Sequence, residues 1–270
     1  MTRDGQVSAA ALFSEEMRRA RARTGLTQDQ LAEKIAYSSS LVAHVEVGTR
    51  APSLDFAGRA DEALDTGGLL ARLQPFVRSE AYPAWFRDWV EIEREATSLC
   101  WFEPLLIPGL LQTEDYARAV LAAANPASGE DEIDRLVSAR MDRQAILTKD
   151  KPPLLWVIID EGVLMRPVGG RRVMRAQIDR LLEAARLPKI MLQVLPIGAG
   201  AHPGLAGHFV IASFDGSADV AYLDNALAGQ IAERVEDVSR VTLLYDILKA
   251  EALAPRASID LVRKAIETWT

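Results

Sequence analysis

Within residues 38–44, Ser-Ser-Ser-Leu-Val-Ala-His, three hydroxyls, a methyl and an imidazole lie in a short run. At helical spacing Ser39, Ser40, Ala43 and His44 share one face. Those groups are suited to reading the edges of base pairs. Serine hydroxyls donate or accept, an alanine methyl packs on a thymine methyl, and a histidine offers one donor to a purine acceptor. The matching backbone chemistry lies nearby. Gln28 stands at the start of the preceding segment, where polar groups at a helix N-terminus meet phosphates. Arg23 and Arg50 are the cations expected to touch phosphates, with Lys34 a further candidate.

Helices are needed to hold these groups. Thr27 with Gln30 forms a capping box, flanked by Leu26 and Leu31 as a hydrophobic staple. Ser38 repeats the device, with Tyr37 and Val42 as its staple. The connection between Ile35 and Ser38 is so short that the two helices must cross steeply. Leu31, Ala32, Ile35, Val42 and Val45 fall on inward positions, and Gly48 follows where a left-handed cap residue belongs. A helix before them carries Phe13, Met17, Ala20 and Thr24 on one face and ends at Gly25. A fourth begins at Pro52-Ser53, with Leu54, Phe56, Ala60 and Ala63 as its apolar positions.

Residues 12–65 resemble the Xre/Cro-type helix-turn-helix of bacterial and phage repressors. Gly25-Leu26-Thr27-Gln28, Leu31-Ala32 and Val45-Glu46-x-Gly48 carry the resemblance. It implies that Arg21 pairs with Glu46, a partly buried bridge that holds the reading helix. The chain departs from the pattern in having Ala36 where glycine is common and Val47 where a bulkier polar residue is common.

Charge and length bound the remainder. The chain has 270 residues and a formal net charge of −7. Residues 17–50 hold six Lys or Arg against three Asp or Glu, so the rest carries −10. A mildly basic head on an acidic body suits a regulator that does not coat DNA indiscriminately, and it favours binding as a dimer. The chain starts without an apolar signal segment and contains no run of about 18 apolar residues. Its single cysteine, Cys100, reads as a buried thiol. The compartment expected from these features is the cytoplasm.

The reading along the chain gives an all-α helix-turn-helix domain over residues 8–66, a connecting segment over 67–82, and a mixed α/β (α+β) domain over 83–270. In the last, Pro83 opens a helix with Trp85, Trp89, Ile92 and Ala96 on one stripe. A strand over 98–102 follows, then helices capped by Thr113 and Ser128. Strands are expected at 154–159, 190–195, 208–214 and 219–223. A helix after Gly169-Gly170 separates the second and third of these five strands, and two helices close the chain.

Catalytic signatures are weak. Gly198 to Gly204 superficially looks like a dinucleotide loop, but its third glycine is misplaced, Pro203 intervenes and a strand follows where a helix is required. His202 and His208 lack a third ligand at metal-site spacing. Asp160 and Glu161 end a strand but also suit the first turn of a helix. Gly169-Gly170-Arg171-Arg172 reads as a solvated cap. No enzyme, cofactor or metal is expected.

A second resemblance spans residues 10–270. Trp85-Phe86-x-x-Trp89, Trp101-Phe102-Glu103-Pro104, the run from Ile107 to Ala117 with its Pro-Gly-Leu-Leu-Gln-Thr core, Arg140-x-x-Arg143-Gln144, Pro167-Val168-Gly169-Gly170 and Gly200-Ala201-His202-Pro203-Gly204 are similar to one group. That group is the actinobacterial helix-turn-helix regulators with a C-terminal domain of unknown function, often called antitoxin-like. The resemblance implies double-stranded DNA and a small protein encoded alongside as partners. Trp101, Phe102 and Tyr116 read as core. An alternative brings the loops near 104–116 and 198–208 together as a partner or ligand groove, with Gln112, Tyr116 and His202 in it. The function expected is sequence-specific regulation by a homodimer through residues 38–46. The alternative is an antitoxin-like protein that neutralises a small partner and uses DNA binding for autoregulation.

Overall fold

The computed structural model describes residues 8–80, 82–225 and 227–269. Ala81, inside the expected connecting segment, and Thr270, at the end of the expected second domain, lie outside the described residues. Contacts divide the chain into two compact units. One holds the chain up to Ala84 together with Asn125–Ala139; the other holds Trp85–Ala124 and everything from Arg140.

The first unit is helical. Its helices are α1 (Ala9–Thr24), α2 (Gln28–Ile35), α3 (Ser39–Val47), α4 (Leu54–Leu64) and α5 (Leu69–Glu80), joined by the larger part of the later helix over Glu130–Arg143. Each of the first four starts where a hydroxyl of Ser8, Thr27, Ser38 or Ser53 accepts a backbone N–H three residues on, which satisfies one of the orphan donors of a helix start. Gly25 and Gly48 end α1 and α3 in the left-handed conformation. Phe13, Met17, Leu31, Ile35, Val42, Val45, Phe56, Ala60 and Leu64 form one core. Two expected apolar positions lie outside it: Thr24 is exposed, its hydroxyl donating to Ala20 and Arg21 carbonyls, and Leu54 is 60% exposed.

The expected connector contains the fifth helix of this unit. α5 packs on α1 and α4 and buries Leu70 and Val77 in the same core. Asp61 of α4 anchors its start. The carboxylate accepts from the backbone of Leu70 at 2.9 Å and of Ala71 at 2.8 Å, and from the Thr66 hydroxyl.

The second unit is α+β. In chain order it contains α6 (Ala84–Glu95), β1 (Ser98–Glu103), α7 (Glu114–Ala124), the end of α8 (Glu130–Arg143), β2 (Leu154–Asp160), the single turn α9 (Gly162–Met165), α10 (Arg171–Ala184), β3 (Ile190–Leu195), β4 (Phe209–Ser213), β5 (Val220–Asp224), β6 (Gly229–Ala232), α11 (Val235–Glu251) and α12 (Pro255–Ala265). Thr113 caps α7 as expected from its position, whereas α8 starts beyond Ser128, with Gly129 O accepting its first backbone bonds.

The sheet order is β3-β2-β1-β4-β5-β6. β1, β2 and β3 are parallel, and β4 to β6 continue as an antiparallel meander. Trp89, Trp101, Val157, Met174, Ile178 and Val262 belong to one core, and Phe102, Ile158, Phe209, Ile211, Val238 and Tyr245 to another. Val157, Ile158 and Ile159 are all fully buried, as expected for a strand covered on both faces. Among the described residues no helix is long and apolar enough to cross a membrane.

Candidate nucleic-acid interface

The geometry of α2 and α3 is set by their ends. Thr27 Oγ1 accepts from Gln30 N at 3.2 Å, and Gln30 Oε1 accepts from Thr27 N at 2.9 Å. α2 stops at Ala36, which is left-handed with φ 58°. Tyr37 N then returns to Ala32 O at 3.0 Å. One residue later Ser38 Oγ takes Leu41 N at 3.2 Å and α3 begins. Tyr37 also fixes this turn to α4. Its hydroxyl donates to Asp55 Oδ2 at 2.7 Å, and its ring meets Phe56 edge-on. That hydroxyl, followed by Arg59, holds the Asp55 carboxyl below its usual range.

α3 buries Val42, Val45 and Glu46. On its other side Ser40, His44 and Val47 are exposed, with Ser39 and Ala43 half-buried. Ser38 serves as the cap. Val47 continues the Ser40–His44 stripe three residues on and is 70% exposed. The helix is anchored from behind, since Ser14 Oγ of α1 donates to Val45 O at 2.7 Å.

Arg21 and Glu46 meet in a two-pronged bridge. Arg21 Nε donates to Glu46 Oε1 at 2.6 Å and Nη2 to Oε2 at 2.9 Å, while Nη1 holds Leu26 O at 2.9 Å. Glu46 is 2% exposed. Such a fork matches the carboxylate in plane and uses the geometry only arginine supplies. Gln28 adds a third donor, Nε2 to Glu46 Oε2 at 2.7 Å. This changes the role expected for Gln28. Its side-chain amide is spent inside the unit, so the group left for a phosphate is its backbone N–H in the first turn of α2.

The other expected cations divide in the same way. Arg23 Nη2 holds the carbonyls of Leu64 and Asp65, both at 3.1 Å, and Lys34 Nζ holds Ala63 O at 3.2 Å. Both therefore tie down the carboxyl end of α4, where cations are favoured. The Arg50 side chain is exposed and makes no hydrogen bond or ion pair with a described residue. It follows α3 directly, its backbone N–H reaching His44 O at 3.4 Å.

The expected groove residues of the second unit need correction. Gln112 is 3% exposed, and both ends of its amide are engaged: Nε2 donates to Ile107 O at 2.7 Å and Oε1 accepts from Arg140 at 3.0 Å. Tyr116 is fully buried. Its hydroxyl accepts from Ile107 N at 3.2 Å, and burial pushes its pKa up to about 12. His202 has a 3% exposed side chain, with Nε2 3.5 Å from Asp160 Oδ2 and the ring edge-on to Phe102. All three build the loops from within and line no open groove. Gln144 and Gln177 stitch the same Pro-Gly-Leu-Leu-Gln-Thr segment through backbone bonds to Gly109, Leu111, Gln112 and Thr113.

One buried pair had no local signal in the sequence. Arg143 Nε lies 2.9 Å from Glu93 Oε1, and its guanidinium sits over Phe86 and Trp101 at 5.0 and 5.9 Å. Burial raises the Glu93 pKa although Arg143 pulls the other way.

Fold and site together define a helix-turn-helix protein with a DNA-binding head. A helix-turn-helix domain family matches residues 12–73. The domain of unknown function DUF5753 matches residues 86–264, more than half of the chain, and the chain belongs to that family. Neither the curated proteins nor the solved structures yielded a match.

Proposed function

We propose that the chain is a sequence-specific, Xre/Cro-type transcriptional regulator that lays α3 in the major groove of DNA. One observation carries this reading. α3 presents Ser39, Ser40, Ala43 and His44 outward while its opposite face is bolted down by Glu46, Arg21, Gln28 and Ser14. A rigid helix with a polar outer stripe is what base readout requires. The second unit dimerises the chain and receives a signal; nothing in this reading calls on it for turnover. Half-sites then lie about 10 bp apart or a multiple of that.

The test separates reading from holding. Combined Ser39→Ala, Ser40→Ala and His44→Ala substitution is expected to level the affinities for selected and random duplexes. Arg50→Ala is expected to weaken all duplexes alike and reduce the salt slope by about 1. Arg50 variants that change base preference and leave the salt slope intact contradict this division of roles.

A groove of about 430 Å³ beside α11 favours a second reading. It is lined by Asp219, Glu233 and Asp246 with Val235, Val238 and Leu243, a surface suited to a basic, apolar protein segment. In this reading an antitoxin-like protein neutralises a small partner encoded alongside and binds DNA for autoregulation. Co-purification with that protein in fixed ratio, and toxicity of the partner alone, distinguish it.

A further inference from the structure

His44 lies one helical turn beyond Ser40 on the outer stripe of α3. Its Nδ1 is 2.7 Å from the backbone oxygen of Ser40 and 3.3 Å from Ser40 Oγ. A carbonyl oxygen has no proton to give, so the 2.7 Å contact requires the proton on Nδ1. That sets the tautomer. The neutral ring then carries its bare lone pair on Nε2, at the far side of the imidazole from the nitrogen held by Ser40. The ring that faces the groove is an acceptor, the reverse of the donor role expected from residue type.

We propose that His44 reads an exocyclic amino group in the major groove, adenine N6 or cytosine N4, by accepting a hydrogen bond from it at Nε2. The inference rests on the major-groove reading above and states which base chemistry that site takes. Ser40 complements it. Its hydroxyl oxygen is turned to the Nδ1 proton, which leaves its own proton for a base acceptor. Adenine displays an amino donor and the N7 acceptor on one edge, so a Ser40–His44 pair matches adenine on both counts. A lysine or arginine at position 44, which only donates, matches guanine O6 and N7 instead.

The experiment uses the full chain and proceeds by atom replacement. Duplex sites are selected from a random library with the wild type and with His44→Ala, and the base pair whose preference differs is the one residue 44 reads. In that pair the amino-bearing base is then exchanged for an analogue without the amino group, purine for adenine or 2-pyrimidinone for cytosine. The expected result is a loss of about tenfold for the wild type, the size of one good base contact, and no loss for His44→Ala. His44→Arg is expected to move the preference to guanine.

Three results overturn the proposal. One is a wild type indifferent to amino removal but weakened by a 7-deaza purine, which makes His44 a donor. Another is a His44→Ala selection identical to the wild type. The third is no enriched site for any protein, which removes the DNA-reading proposal beneath it as well and is distinguishable from the other two. His44 is exposed, so circular dichroism of His44→Ala is expected to match the wild type.

Discussion

At the scale of residues, the first unit depends on one hidden carboxylate. Glu46 is shut off from water and would be costly to ionise alone. Three donors from Arg21 and Gln28 meet it. Removing Arg21 leaves a buried charge with one amide partner. Arg21→Ala is therefore expected to cost about 2–3 kcal/mol of unfolding free energy, measured by urea denaturation. Arg21→Lys is expected to recover little, because a lysine ammonium cannot make the planar fork. An Arg21→Ala protein as stable as the wild type contradicts the role given to the bridge. The pair entered the sequence reading only through resemblance, since two charges 25 positions apart carry no local signature. Gln28 shows the converse. Its type and place suit a phosphate contact, and only the fold shows its amide turned inward. The same holds for Gln112, Tyr116 and His202, polar side chains that the fold turns inward, onto Ile107 for Tyr116, onto Ile107 and Arg140 for Gln112 and toward Asp160 for His202.

At the scale of elements, caps were legible because they are local. Thr27 with Gln30, and Ser38, Ser53 and Thr113, set helix starts through bonds spanning three residues. α5 was read as part of a join because its anchor, Asp61, acts across the turn and its buried face is defined by α1 and α4. β6 was missed because four residues, Gly-Gln-Ile-Ala, are too few to show a period; it exists by pairing with β5. Ala36 ends α2 with φ 58°, a conformation that strains a residue bearing a Cβ. Ala36→Gly is expected to raise unfolding free energy by about 1 kcal/mol without altering DNA affinity. A lowered denaturation midpoint contradicts it. At Gly204 the demand runs the other way. A Cβ there would fall 2.1 Å from the Phe102 ring, so Gly204→Ala is expected to destabilise the second unit and lower its melting temperature.

At the scale of the whole molecule, charge organises both stability and binding. Among its described residues the second unit buries the carboxylates of Glu93 and Glu103, and burial raises the pKa of each. A raised folded pKa means stability present below the ordinary glutamate value and lost as pH rises through the folded one. Glu103→Gln removes that loss without stranding a buried arginine. It is expected to match the wild type in acid and to exceed it in stability toward neutral pH, as read from melting temperatures across the range. A variant less stable than the wild type at neutral pH contradicts this assignment. Toward DNA, only the stretch 17–50 is positive, at +3 against −10 for the rest of the chain, which leaves little for indiscriminate attraction and puts the weight of discrimination on α3.

The most direct test is the ratio of affinities of the intact chain for its best selected duplex and for random duplex of equal length, titrated by fluorescence anisotropy at one physiological salt concentration. A specific reader is expected to show a ratio of about 10³ or more, collapsing toward one when Ser39, Ser40 and His44 become alanine. A wild-type ratio near one, with equal weak binding to both duplexes, contradicts the claim that α3 reads sequence.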